Sequence, residues 1–162
     1  MVVIADAGPL IALGRIDRLD LLNALYGKVG VPDEVWHEVV VMGDGLPGAT
    51  ALAEADWVGR RGEAAADPVF LSLLGILDRG EAAAIGCALA ERADLVLIDE
   101  RRGRAVARRL GLAVKGTLGI LLAARRGGVI EAVAPSIDAL RTAGIHLSDP
   151  LVLEVLRAAG EA

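Results

Sequence analysis

Two apolar runs of strand length end in carboxylates: VVIAD, from Val2, closes on Asp6, and LVLID closes on Asp99, with Glu100 directly after it. In an open parallel sheet, ligands bind beyond the carboxyl ends of the strands. Neighbouring strands lie about 4.8 Å apart, so if these two runs pair, Asp6 and Asp99 converge at one edge. For either residue alone the competing reading is a cap on the following helix. Glu81, in DRGEAAAIGCALA, stands four residues before Ile85 and seven before Ala88, which puts it on the inward stripe of a helix. It also fits N3 of a capping box with Asp78 as N-cap, and spacing does not separate the two roles. Glu38, in DEVWHEVV, follows Val35 by three and flanks a buried stripe, where an ordinary solvated carboxylate is the alternative. Carboxylates held within a few ångströms repel, and one stays protonated unless a cation intervenes. Mg²⁺ or Mn²⁺ suits such oxygen donors, lowers the pKa of a bound water and stabilises a phosphodiester under in-line attack.

A basic stretch follows the second acidic pair. From Arg101 to Ile130 there are eight cations (Arg101, Arg102, Arg104, Arg108, Arg109, Lys115, Arg125, Arg126) and no acid. Phosphate contact is the functional reading, with Thr117 as a neighbouring hydroxyl; solvated surface ion pairs are the bland one. Other motifs carry less. LVLIDE has the shape of a Walker B strand, but no GxxxxGK[ST] loop exists to go with it. A receiver-type phosphoacceptor needs an acidic pair at the first strand, which is missing. His37 and His146 stand singly, and Cys87, among Ala and Leu, reads as a small core residue.

The elements that must position these residues alternate. Strands at VVIA, KVGV, LVLI and LAVKG, with an edge strand at WVGRR followed by a polar turn, are separated by helical stretches: LIALGRI, LDLLNALYG, DEVWHEVVVM, ALAEAD, DPVFLSLLGILD, RGEAAAIGCALAERA, RRGRAVARRLG and TLGILLAARRGG. A helix is expected from Val129 to Ala143, and a last one over about 149–160, N-capped by Ser148 with Pro150 near N1. This order implies βαβ units and a parallel sheet covered on both faces. The chain of 162 residues suits one domain, 1–162.

Composition narrows the function classes. Tyr26, Trp36, Trp57 and Phe70 are the only aromatic residues, too few for base-stacking modules. One cysteine and two histidines exclude an internal disulfide and a Cys/His zinc site. A net charge of −5 disfavours a general polyanion binder, although it hides local patterning. No basic n-region precedes the first apolar run and no membrane-length apolar run occurs, so a cytoplasmic location is expected.

These residues in this order resemble the PIN-domain family of metal-dependent ribonucleases, in particular a PIN-like branch related to VapC-type toxins. The matching motifs are VIADAGPLIALGRI, VPDEVWHEV, LDRGEAAAIGCA, LVLIDERRGRAVARRLGL, VKGTLGILLAARRGG and LRAAGE, and they run through almost the whole chain. The resemblance implies a three-layer α/β/α fold with a central parallel sheet of four to five strands and an acidic pocket for Mg²⁺ or Mn²⁺. It implies Asp6, Glu38, Glu81 and Asp99 as the catalytic set, with Asp6, Glu81, Asp99 and Glu100 toward the metal. Arg101, Arg102, Arg104, Arg108, Lys115 and Thr117 are the expected nucleic-acid contacts. The activity implied is endoribonuclease, as the toxin of a toxin–antitoxin pair, with RNA as substrate, an antitoxin as partner and a homodimer as assembly. DPVFLSLLGILD and the C-terminal helix are the surfaces for dimer or partner contacts. Family toxins often carry Ser or Thr just after the first Asp; here Ala7 and Gly8 stand there. That departure motivates an alternative, a PIN-like nucleic-acid-binding or regulatory module with little nuclease activity.

Overall fold

In a computed structural model, which describes residues 1–62 and 67–162, the chain forms a five-stranded, all-parallel sheet between layers of helices. The strands are β1 (Val3–Ala5), β2 (Val29–Pro32), β3 (Val58–Arg61), β4 (Leu95–Leu97) and β5 (Val114–Lys115), in the order β3-β2-β1-β4-β5. The polar turn expected after β3 falls on 63–66, outside the described residues. β1 is central, and its register with β4 aligns Ala5 with Leu97. Asp6 therefore stands opposite Ile98, and Asp99 follows one residue later at the same edge of the sheet.

Side chains alternate along each strand and so build two cores. Val3, Ala5, Leu95 and Leu97 join one face with Val29 and Val31. That face is covered by α1 (Ala7–Arg15), α2 (Asp20–Tyr26), α3 (Asp33–Trp36), α8 (Thr117–Arg126), α9 (Ala134–Thr142) and α10 (Asp149–Ala158). Ile4, Val96 and Ile98 point the other way, against α5 (Pro68–Leu73), α6 (Arg79–Glu91) and α7 (Arg101–Arg109). The short helix α4 (Ala49–Glu54) completes the set. Helix α6 contributes mostly Ala to its core, including Ala82, Ala83, Ala84 and Ala88, and such small side chains let it sit close on the sheet.

Three helical expectations shift. The stretch 33–42 is a short α-turn followed by a π-turn, His37–Val41, in which Met42 N–H donates to the His37 carbonyl at 2.8 Å. Wide turns of this kind recur at functional sites, and this one carries Glu38. In DPVFLSLLGILD the helix ends at Leu73, and Gly75 N–H and Ile76 N–H close separate turns on Ser72 and Leu73. The helix expected from Val129 begins only at Ala134. Gly128, at φ +72°, reverses the chain, and Val129 N–H donates back to the Ala124 carbonyl at 2.8 Å, which closes α8 instead of starting a new helix. Ser148 does take the N-cap position of α10, without a side-chain capping bond.

Among the described residues no helix is long and apolar enough to cross a membrane.

Candidate active site

Asp6 follows β1 directly and is 6% exposed. Its main-chain N–H donates to the Leu97 carbonyl at 2.9 Å, which ties the end of β1 to β4. The side chain sits at the N-cap position of α1 but makes no capping bond, so the helix-cap reading does not account for it. Its neighbours are anions. Burial, then the carboxylates of Asp78, Glu81 and Glu38, push its pKa up to about 7, and the Ala7 amide offsets this only in part.

The other carboxylates reach Asp6 from two helices. Asp78 and Glu81 form the capping box of α6: Glu81 N–H donates to Asp78 Oδ1 at 2.8 Å, and Asp78 N–H to Glu81 Oε2 at 3.3 Å. The capping role of Glu81 is therefore real, yet the residue is only 5% exposed and its Oε1 faces Gly103 of α7. Burial and Asp78 raise its pKa, and burial and Asp78 likewise raise that of Glu38. The convergence is visible at Gly80. A β-carbon there would lie 3.2 Å from Asp6 Oδ1, 3.3 Å from Glu38 Oε2 and 3.7 Å from Asp78 Oδ1. Only a residue without a side chain leaves that space between the oxygens open.

Asp99 behaves differently. It follows the β4 run at the same sheet edge as Asp6, one residue out of register, and Thr117 holds both of its oxygens: the Thr117 N–H donates to Oδ1 at 2.6 Å and the hydroxyl to Oδ2 at 2.7 Å. Asp99 thus caps α8, the helix after β5, instead of the next helix in the chain. Thr117 is 3% exposed and its donors are engaged by Asp99, so it positions this acid, whereas the sequence suggested a nucleic-acid contact. Glu100 is exposed at the N-cap position of α7, close enough to raise the pKa of Glu81.

Asp78 is the member that sequence reasoning placed only as a cap. Its signal was present, since a capping box whose N3 residue points inward carries its N-cap carboxylate to the same place.

The donor set is anionic and oxygen-only, with Asp6 and Glu81 buried and Glu38 and Asp78 exposed, the chemistry that suits a hard divalent ion. Asp6, Glu38, Asp78 and Glu81 are the residues that would hold one. As the side chains stand, no group of three His, Cys, Asp or Glu among the described residues is arranged to ligate an ion. The oxygens around Gly80 share a neighbourhood without closing to the roughly 2.1 Å of a Mg²⁺ shell.

The cations of α7 flank this edge. Arg101 and Arg102 are exposed in its first turn, and Arg104 donates to the Asp99 carbonyl. Arg104, Arg108 and Lys115 line a cavity that begins at Asp99. Arg125 and Arg126 sit apart, at the other end of α8, about 13 Å along its axis. Ion pairs among the described residues join Arg18–Asp20, Arg60–Asp33, Arg61–Glu91 and Arg141–Asp149, and none takes a cation from 101–126.

A family model described as a PIN domain matches residues 2–161. The fold is that of a nuclease-type α/β domain, and the chain belongs to the PIN-domain family. PIN domains are generally nucleases that act on nucleic acid and typically use divalent metal ions. No curated protein matches the chain.

Proposed function

We propose that the protein is a Mg²⁺- or Mn²⁺-dependent endoribonuclease, a single PIN domain over 1–162 that serves as the toxin of a toxin–antitoxin pair in the cytoplasm. The observation that carries this reading is the burial of Asp6 among Glu38, Asp78 and Glu81, an arrangement that costs free energy unless a cation neutralises it. A bound divalent ion supplies an activated water and charge neutralisation at the phosphate. Asp6, Glu38, Asp78 and Glu81 hold the charge that recruits it. Asp99, fixed by Thr117, stands at the same edge of the sheet. Arg101, Arg102, Arg104, Arg108 and Lys115 bind the RNA backbone beside it, where preorganised positive charge favours the phosphate.

Partner contacts fall on apolar surface that the fold leaves open. Val69, Leu71 and Ile76 are 40%, 53% and 45% exposed, and Leu153 is 41% exposed on α10. These are the surfaces for a homodimer or an antitoxin, and sedimentation at high micromolar concentration tests the former.

The alternative, a nucleic-acid-binding or regulatory module with little nuclease activity, draws on the same edge. Ala7 brings no hydroxyl, and Asp99 is already held by Thr117. Cleavage of single-stranded RNA with Mn²⁺ discriminates. The nuclease reading predicts cleavage that EDTA stops and Asp6→Asn abolishes; RNA binding without cleavage favours the alternative.

A further inference from the structure

A cavity of about 470 Å³ opens from Asp99 between α7, the β5–α8 junction, residues 145–148 and α10. That volume lies within the roughly 300–1,000 Å³ typical of small-ligand sites. Its lining is of two kinds. Arg104, Arg108 and Lys115 supply three cations from α7 and β5, while Leu118, Leu147 and Leu151 supply apolar surface. His146, Ser148 and Glu154 add donors and acceptors at the α10 side. Of the two acids in the lining, Asp99 has both oxygens bonded to Thr117, and Glu154 is an exposed carboxylate of α10. Arg104 is held at the mouth by its bond to the Asp99 carbonyl, beside Gly116.

A ligand matching this lining carries a compact anion next to a flat, mostly apolar body with a polar rim. A nucleotide has that composition: phosphate for guanidinium and ammonium donors, base faces for leucine side chains, and a base edge for His146, Ser148 or Glu154. We infer that the cavity takes one unpaired nucleotide of the RNA, its phosphate on Arg104, Arg108 and Lys115 and its base against Leu147 and Leu151, and thereby selects the base beside the cleaved bond. This rests on the reading of RNA as substrate, and it adds a base-specific subsite outside the carboxylate cluster. Leu151 is the specificity-determining residue, being the apolar wall that a larger side chain would close.

The test needs neither metal nor cleavage. The full ¹⁵N-labelled protein in EDTA is titrated with each of the four nucleoside 5′-monophosphates and with ribose 5-phosphate. At least one nucleotide should bind about tenfold more tightly than ribose 5-phosphate, the difference being the buried base. Its chemical-shift changes should include Lys115, Leu147 and Leu151. Leu151→Trp should remove that advantage while ribose 5-phosphate binds as before. Leu151→Ala, which leaves the cavity open, should weaken the preference in part, and it carries the test alone should the Trp variant fail to fold. The inference is overturned if ribose 5-phosphate binds as tightly as every nucleotide, if the shifts map elsewhere, or if the folded variants keep the wild-type preference. Base binding in a protein that never cleaves RNA would contradict the nuclease reading and leave the subsite standing; cleavage without base binding would do the reverse.

Discussion

Thr117 donates to both carboxylate oxygens of Asp99, through its N–H at 2.6 Å and its hydroxyl at 2.7 Å. The two residues lie eighteen positions apart, at the ends of β4 and β5, and the pair fastens the first turn of α8 to the acidic edge. Asp99 is thus a carboxylate with both oxygens hydrogen-bonded, whereas burial and neighbouring carboxylates disfavour the ionised form of Asp6, one strand away.

Substitution should separate them. Asp99→Ala removes both acceptor oxygens, so both Thr117 bonds are lost. Removing a helix cap of this type costs about 0.5–2 kcal/mol. Thr117→Val should cost a similar amount, about 1 kcal/mol, and the double variant should cost less than the sum because both changes break one unit. Urea melts in EDTA check this. Additive losses would mean that the pair is not coupled.

Asp6, with Glu38 and Glu81 shifted in the same direction, makes the stability of the metal-free protein fall as pH rises. Its pKa is about 7 when folded against 3.8 for the free side chain, so between these values the folded state keeps a proton that the unfolded chain has released. Stability contributed by this group therefore falls as pH rises from about 4 to 7 and stays low above that, a penalty on the order of 4 kcal/mol. Asp6→Asn should be flatter across this window and more stable than wild type at pH 8 in EDTA. Parallel stability–pH profiles would place the titration elsewhere.

Gly80 tests whether the space between the carboxylates matters. Ala is the better helix former by about 1 kcal/mol in a helix interior, yet a methyl at position 80 would sit 3.2 Å from Asp6 Oδ1 and 3.3 Å from Glu38 Oε2. Gly80→Ala should leave EDTA stability within about 1 kcal/mol of wild type and abolish Mn²⁺-dependent cleavage. Full activity in this variant would show that the ion does not need this space.

Much of this was legible in the residues. The strand-end positions of Asp6 and Asp99 follow from short apolar runs, and the β1–β4 pairing brings both to one edge of the sheet, although its register sets Asp6 opposite Ile98 and Asp99 one residue beyond. What stayed hidden depends on contacts distant in the chain. Thr117 reaches back to Asp99 from a helix whose register the sequence does not encode. Asp78 looked complete as a cap, because a capping box satisfies local hydrogen bonding and says nothing of what lies across the gap. The late start of α9 is another such case. Glu161 accepts from Val133 N–H at 2.8 Å and Ala134 N–H at 3.0 Å, so the C-terminus supplies the N-terminal acceptors that local residues do not.

The α7 cations should govern RNA affinity. Replacing Arg101, Arg102 and Arg108 together should weaken binding and reduce the salt slope by about 2–3 in log–log terms, as expected for roughly one phosphate contact per residue on single strands. Filter binding between 50 and 200 mM salt reads this. An unchanged slope would mean that the contacts lie on another face.

The most direct test of the carboxylate cluster as a divalent-ion site is a pair of melting curves, wild type and Asp6→Asn, in EDTA and in millimolar Mn²⁺. An ion that binds only the folded state at about 100 times its Kd contributes about 2.7 kcal/mol, which raises Tm by about 5–10 °C in a chain of this size. The account predicts that rise in wild type and little or none in Asp6→Asn, together with a higher Tm for the variant in EDTA at pH 8. A wild type indifferent to Mn²⁺, with an Asp6→Asn variant that melts well below it in EDTA, would contradict it.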